Sequence, residues 1–137
     1  MSASKTEVRR FRLGILAIDG CMLSSIASSS DALRVAQKLA DIRHPGALSL
    51  ESIVFGARGQ SQVATSTGLS LGDLADPPEH LDVLLLPGLM HGSPQEVIER
   101  VKRLQPELAM IRAMHLRGVT IAGTVNAPGG PLLVMDV

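Results

Sequence analysis

Cys21 is the single thiol of the chain and follows directly on Asp19-Gly20. A thiolate is a good nucleophile where a cation, a histidine or a helix N-terminus lowers its pKa. No histidine or basic pair adjoins Cys21, so two readings stand. One is a reactive thiol facing a cleft; the other is the small buried apolar residue that most free cysteines are. A second place for chemistry is the end of the run G-V-T-I-A-G-T-V-N, residues 118–126. Where a buried strand enters a sharp turn, the turn residue is pushed out over the next helix, and serine or cysteine there becomes a nucleophile. Val125 holds that position and has no nucleophilic atom, while Thr124, one step earlier, is expected on the other face of the strand. A third is His91, in the turn that follows L-D-V-L-L-L-P-G-L-M, residues 81–90, where an imidazole can meet a ligand.

The other ionisable groups offer less. His44, His80 and His115 share no metal-type spacing with His91 or Cys21, so neither a metal nor a cofactor is expected. His44 and His80 sit in proline-containing connectors, and His115 lies near a helix C-terminus, where a positive charge suits the dipole. No glycine-rich phosphate loop is present. Asp19, at a strand end, is better placed for a site than Asp31, which reads as a helix cap or a solvated helix residue.

These residues need a scaffold, and the stretch 81–88 organises it. Five of its first six residues are apolar without alternation, the pattern of a strand covered on both faces, and Pro87-Gly88 ends it abruptly. Residues 83–86 are therefore expected to be inaccessible. Upstream, 8–18 (V-R-R-F-R-L-G-I-L-A-I) reads as a first, central strand. A loose turn through the serines at 24, 25 and 28–30 then leads to a firm helix over about 30–40. A second strand is expected over 48–55, and residues 63–66 and 69–71, joined through Thr67-Gly68, read as a small hairpin or as two short extended pieces. After the organising strand, Val97, Ile98, Val101 and Leu104 fall at helical spacing, with Glu96, Glu99, Arg100 and Lys102 outward. Pro106 starts another helix with Leu108, Ile111, Met114 and Leu116 on its apolar side, and Gly118 ends it. The alternation of strands and helices predicts an α/β sandwich with a mostly parallel sheet. Ligands in such sheets bind beyond the carboxyl ends of the strands. The candidate ligand-binding residues are accordingly Asp19, Gly20, Cys21, Pro87, Gly88, Leu89, His91, Val125 and Asn126, and no catalytic residue is assigned.

Composition bounds the function. The 137 residues suit one domain, with residues 1–7 as a tail and 8–137 as the folded unit. Basic and acidic residues balance at 13 each, and only two residues are aromatic, so neither a phosphate-binding field nor a base-stacking platform is present. The basic residues before Leu13 resemble the start of an export signal, but Asp19 cuts the apolar run after six residues, which favours a strand. No apolar run is long enough to cross a membrane, and a single cysteine fits a cytoplasmic location.

The order of these stretches resembles the PfpI/ThiJ branch of the class I glutamine amidotransferase-like superfamily. Within it the chain is most similar to the N-terminal domains of AraC-type transcription regulators. G-I-L-A-I-D-G-C-M-L-S-S-I-A-S-S-S-D-A-L-R-V-A is similar to the family's opening strand, turn and helix. Ser66-Thr67-Gly68-Leu69 resembles its small β segment, 81–88 its D-x-L-x-x-P-G strand, and 118–126 its strand into the elbow. The resemblance implies a flavodoxin-like three-layer sandwich, homodimeric, that senses a small effector of amino acid, amine or betaine type. DNA is then bound by a separate domain and not by this one. Catalytic members of the family carry cysteine at the position matched by Val125, so the resemblance implies a non-enzymatic domain. Asp19 stands where the family often has proline, and Ser25 where the regulators often have aspartate. After Asn126 the chain departs from the pattern, and the expectation is a domain incomplete at its C-terminal end. The alternatives are a hydrolase, amidase or glyoxalase of the same superfamily, and a dimerisation module without a ligand.

Overall fold

A computed structural model of the chain describes residues 7–90, 92–124 and 132–135. Strand β1 (Arg9–Leu16) begins exposed and ends buried, and Ala17 and Ile18 continue into the core. Helix α1 (Leu23–Arg43) returns the chain to strand β2 (Leu48–Phe55). The short strands β3 (Val63–Ala64) and β4 (Ser70–Leu71) pair as the expected antiparallel hairpin. Strand β5 (Val83–Leu86), helices α2 (Pro94–Arg103) and α3 (Gln105–Leu116), and strands β6 (Thr120–Thr124) and β7 (Leu132–Met135) follow.

The main sheet has the order β2-β1-β5-β6-β7, with the first four strands mutually parallel and β7 antiparallel to β6. Counting only these strands in chain order, the sequence 2-1-3-4-5 is the flavodoxin-like arrangement. The connection β1-α1-β2 steps one way along the sheet, and β5-α2-α3-β6 steps the other. Right-handed crossovers then put α1 on one face and the α2–α3 pair on the opposite one. The α/β three-layer expectation from the sequence holds.

The core is aliphatic. Ile15, Leu16, Leu84 and Ile121 are fully or almost fully buried around Phe55, which is one of the two aromatic residues. Register places β5 between β1 and β6. Leu84 lies between Gly14 and Ile121, and Leu85 between Ile15 and Ala122, whereas Leu86 pairs only with Gly123. Leu84 and Leu85 are buried; Val83 and Leu86, at the ends of the strand, are only partly so. The expectation that all four are inaccessible is corrected to the central two. Gly118, at φ +91°, turns the chain out of α3 in the left-handed conformation that other residues adopt at a cost.

Three further expectations change. Helix α1 runs unbroken from Leu23, through the serines, and Asp31 is an exposed mid-helix residue and not a cap. Ser28 and Ser29 donate their hydroxyls to the carbonyls of Ser24 and Ser25 at 2.5 and 2.8 Å, so the serines satisfy themselves within the helix. Tertiary contact supplies what propensity lacks: Ser25 and Ile26 are buried, and Gln37 binds the exposed edge of β2 through Leu48 O and Leu50 N. On α2 the apolar stripe does not face the core, since Val97, Ile98 and Val101 are 36%, 51% and 46% exposed. On α3 Met114 is buried, but Leu108 and Leu116 are exposed and the charged Glu107 is buried in their place. Strand β7 was not foreseen; its only sequence signal is the apolar run L-L-V-M.

Candidate functional site

The neighbours of β1 lie on both sides of it, β2 one way and β5 the other, so the sheet changes winding direction between β1 and β5. A crevice is expected outside the carboxyl ends of strands at such a point. The turn after β1 is built from Asp19, Gly20 and Cys21. Cys21 N–H donates to Ile18 O at 2.9 Å, and Gly20, at φ +82°, donates to Ala64 O at 2.7 Å. Asp19 Oδ1 accepts Ala64 N–H at 3.0 Å, which pins β3 over the turn. The turn after β5 is sewn to the start of α1: Met22 N–H donates to Gly88 O at 2.8 Å, and Gly88 N–H to Ser25 Oγ at 2.9 Å. Cys21 bridges both Thr65 and Leu89.

The structure thus brings together Asp19, Gly20, Cys21, Pro87, Gly88 and Leu89, as the sequence implied. It makes most of them a closed knot: Pro87 and Gly88 are buried, Leu89 is half-buried, and Cys21 is 0% exposed. The remaining candidates, His91, Val125 and Asn126, lie outside the described residues. Burial, ahead of smaller opposing hydrogen-bond effects, pushes the Cys21 thiol above its ordinary value. A raised thiol pKa keeps the neutral form stable in the folded state. Stability from this group is therefore fully present below the ordinary thiol range and falls as pH climbs through the raised value. Iodoacetamide is expected to label native Cys21 far more slowly than the unfolded chain at pH 8, because labelling needs a thiolate and access. Equal rates before and after denaturation would show that the thiol is open.

The open space lies one step further out. A cleft of about 770 Å³ is bounded by Ile18 and Asp19 after β1, Arg58 and Gln60 after β2, Met90 after β5, and α2 with the first turn of α3. The side of α2 that lines it carries Glu96, Glu99, Arg100 and Arg103. At 100° per residue these four share one face, roughly opposite Val97, Ile98 and Val101. That orientation is why the apolar stripe of α2 points away from the core, and why the residues expected outward do not face solvent alone.

Three arginines define the cleft. Arg100 donates to the carbonyls of Met90 and, at 3.4 Å, Asp19. A Cβ on Gly20 would stand 2.3 Å from Arg100 Nη2, so glycine there serves both the turn and the close approach of the guanidinium. Arg58 grips Glu107 through Nε at 2.9 Å and Nη2 at 3.0 Å, and Nη2 also donates to Arg103 O at 2.6 Å. The hydrogen bonds to Glu107 first, and its charge second, hold the Arg58 guanidinium still more firmly protonated than usual. Glu107 is 2% exposed, and this bidentate partner is what makes its burial tolerable. Sequence reasoning found Asp19 but missed Arg58, Arg100, Arg103 and Glu107. The available signals were slight: an acid in the first turn of a helix, and an arginine inside a glycine-bounded turn. Among the described residues no group of three or more His, Cys, Asp or Glu side chains could hold a metal ion.

No family model and no curated protein matches the sequence. Solved structures do match. A protein described as a transcriptional regulator from Vibrio parahaemolyticus superposes with a TM-score of 0.61 at 24% identity, over 84% of this chain and 56% of that one. The AraC family transcriptional regulator from Pseudomonas putida gives 0.53 at 14% identity, over 82% and 63%. DJ-1beta from Drosophila melanogaster gives 0.57 at 16% identity, over 83% and 54%. The chain shares the flavodoxin-like α/β fold of these proteins. At these identities the likeness is one of fold, and the chain spans between about half and two thirds of each of these proteins.

Proposed function

We propose that the chain is a non-catalytic, ligand-sensing domain of an AraC-type transcription regulator, with a small effector of amino acid, amine or betaine type in the cleft beside Asp19. The position of the cleft carries this reading: it opens at the switch between β1 and β5, and acidic and basic side chains both line it. A small molecule bearing both charges suits such a lining. One feature supports a non-enzymatic domain: the only thiol is buried with its pKa raised. The reading includes a cytoplasmic homodimer and no sequence-specific DNA binding by this chain alone, which has no net charge to attract phosphates. Among the described residues no helix is long and apolar enough to cross a membrane.

A thermal-shift screen against amino acids, amines and betaines tests the reading. One class is expected to stabilise the chain by an amount that rises with the logarithm of ligand concentration, about 2.7 kcal/mol once the ligand is a hundredfold above its Kd. A flat response across all three classes would count against an effector. Assays with model esters, amides and methylglyoxal are expected to show no turnover; turnover abolished by Cys21→Ser would replace this reading with that of a hydrolase or glyoxalase.

A further inference from the structure

The cleft contains guanidinium donors that the fold holds in place without engaging all of them. Arginine has five N–H donors in one plane. On Arg58, Nε and Nη2 are taken by Glu107 and by the carbonyl of Arg103. Among the described residues nothing accepts from its Nη1. On Arg103 only Nε is engaged, donating to Glu99 O at 3.4 Å. Both side chains line the cleft. The buried Glu107 fixes the plane of Arg58, so its Nη1 loses little freedom when a ligand arrives. A carboxylate has two oxygens, one for Arg58 Nη1 and one for Arg103, and accepts from charged donors more strongly than a neutral amide does.

Resting on the effector reading above, we propose that Arg58 Nη1 and the Arg103 guanidinium form an oxyanion subsite for one carboxylate of the ligand, with Glu107 as its positioning residue. Charge sets the stoichiometry. Glu107 offsets Arg58, which leaves Arg103 to supply the net positive charge at this end. Glu96 lies seven residues toward the N-terminus on the same face of α2, about 10 Å away. With Glu99 between them, and Arg100 turned onto the carbonyls of Met90 and Asp19, the acids outnumber the base there, and that end of the cleft opposes a second anionic group and suits a cationic or neutral one.

The test uses the whole chain carrying [15N]arginine, titrated with γ-aminobutyrate and with its neutral-headed twin γ-aminobutyramide at fixed ionic strength. The acid is expected to move the Nε–Hε signals of Arg58 and Arg103 saturably, and the amide to leave them in place. Arg103→Gln is expected to weaken binding of the acid by about tenfold or more. Arg112→Gln removes the same charge from an exposed side chain of α3 outside the cleft, and is expected to leave binding unchanged. Equal responses to acid and amide, equal weakening by both variants, or no response of either arginine would each overturn the subsite. The effector reading stands or falls separately: a stabiliser lacking a carboxylate in the thermal-shift screen would keep it while the subsite failed.

Discussion

Leu84→Ala is expected to lower the free energy of unfolding by about 2–5 kcal/mol, the range for removing a buried leucine from a site that cannot collapse. Leu84 is 0% exposed and sits between Gly14 of β1 and Ile121 of β6, so backbone on both sides holds the space open. Urea denaturation of the two chains measures the difference, read from the midpoint at unchanged slope. Leu108→Ala supplies the contrast. That residue is 36% exposed on α3, and its loss is expected to cost clearly less than that of Leu84. Equal effects at the two positions would remove β5 from the centre of the sheet.

The second large effect concerns the Arg58–Glu107 pair, where the two partners are not equivalent. The Glu107 side chain is 3% exposed and that of Arg58 48%. Glu107→Gln keeps the shape and leaves a half-exposed guanidinium that water can solvate, so a loss of about 1–3 kcal/mol is expected. Arg58→Met leaves a carboxylate inside the protein with no cation, and is expected to be the more destabilising of the two. The double variant should recover part of the loss of Arg58→Met, because no buried charge remains to be stranded. Thermal unfolding of the four chains reads this directly. If Glu107→Gln proved the worse single change, Glu107 would not be the buried partner that the cleft is built on.

The cleft and its latch bear on function through one element, α2. Its polar face lines the site and its apolar residues are left on the outside, an arrangement that a helix whose only task was to fill a core would reverse. The first turn of α2 is closed by Ser93 and Glu96, with Glu96 N–H donating to Ser93 Oγ and the N–H of Gly92, the residue before the cap, to Glu96 Oε2. Arg100 then ties the middle of the helix to the ends of β1 and β5, and Arg103 O ties its end to Arg58. Both charged ends of the cleft are therefore carried on a helix held by polar contacts.

Much of this was legible in the chain itself. The bounds of β2, the hairpin around Thr67-Gly68, the proline start of α3 and the parallel core all follow from local rules, because apolar runs, prolines and glycines constrain the backbone wherever they occur. So does the meeting of Asp19–Cys21 with Pro87–Leu89, since turns after parallel strands share one edge of the sheet. The tertiary structure alone decided which way α2 is rotated, that Glu107 is buried, that α1 runs through its serines, and that Arg58 reaches α3 from a loop 49 residues away. A pattern of spacing fixes which residues share a helix face, but not which face the rest of the protein leaves a place for. An acid reads as exposed until a cation distant in sequence is placed against it, and only the folded chain does that.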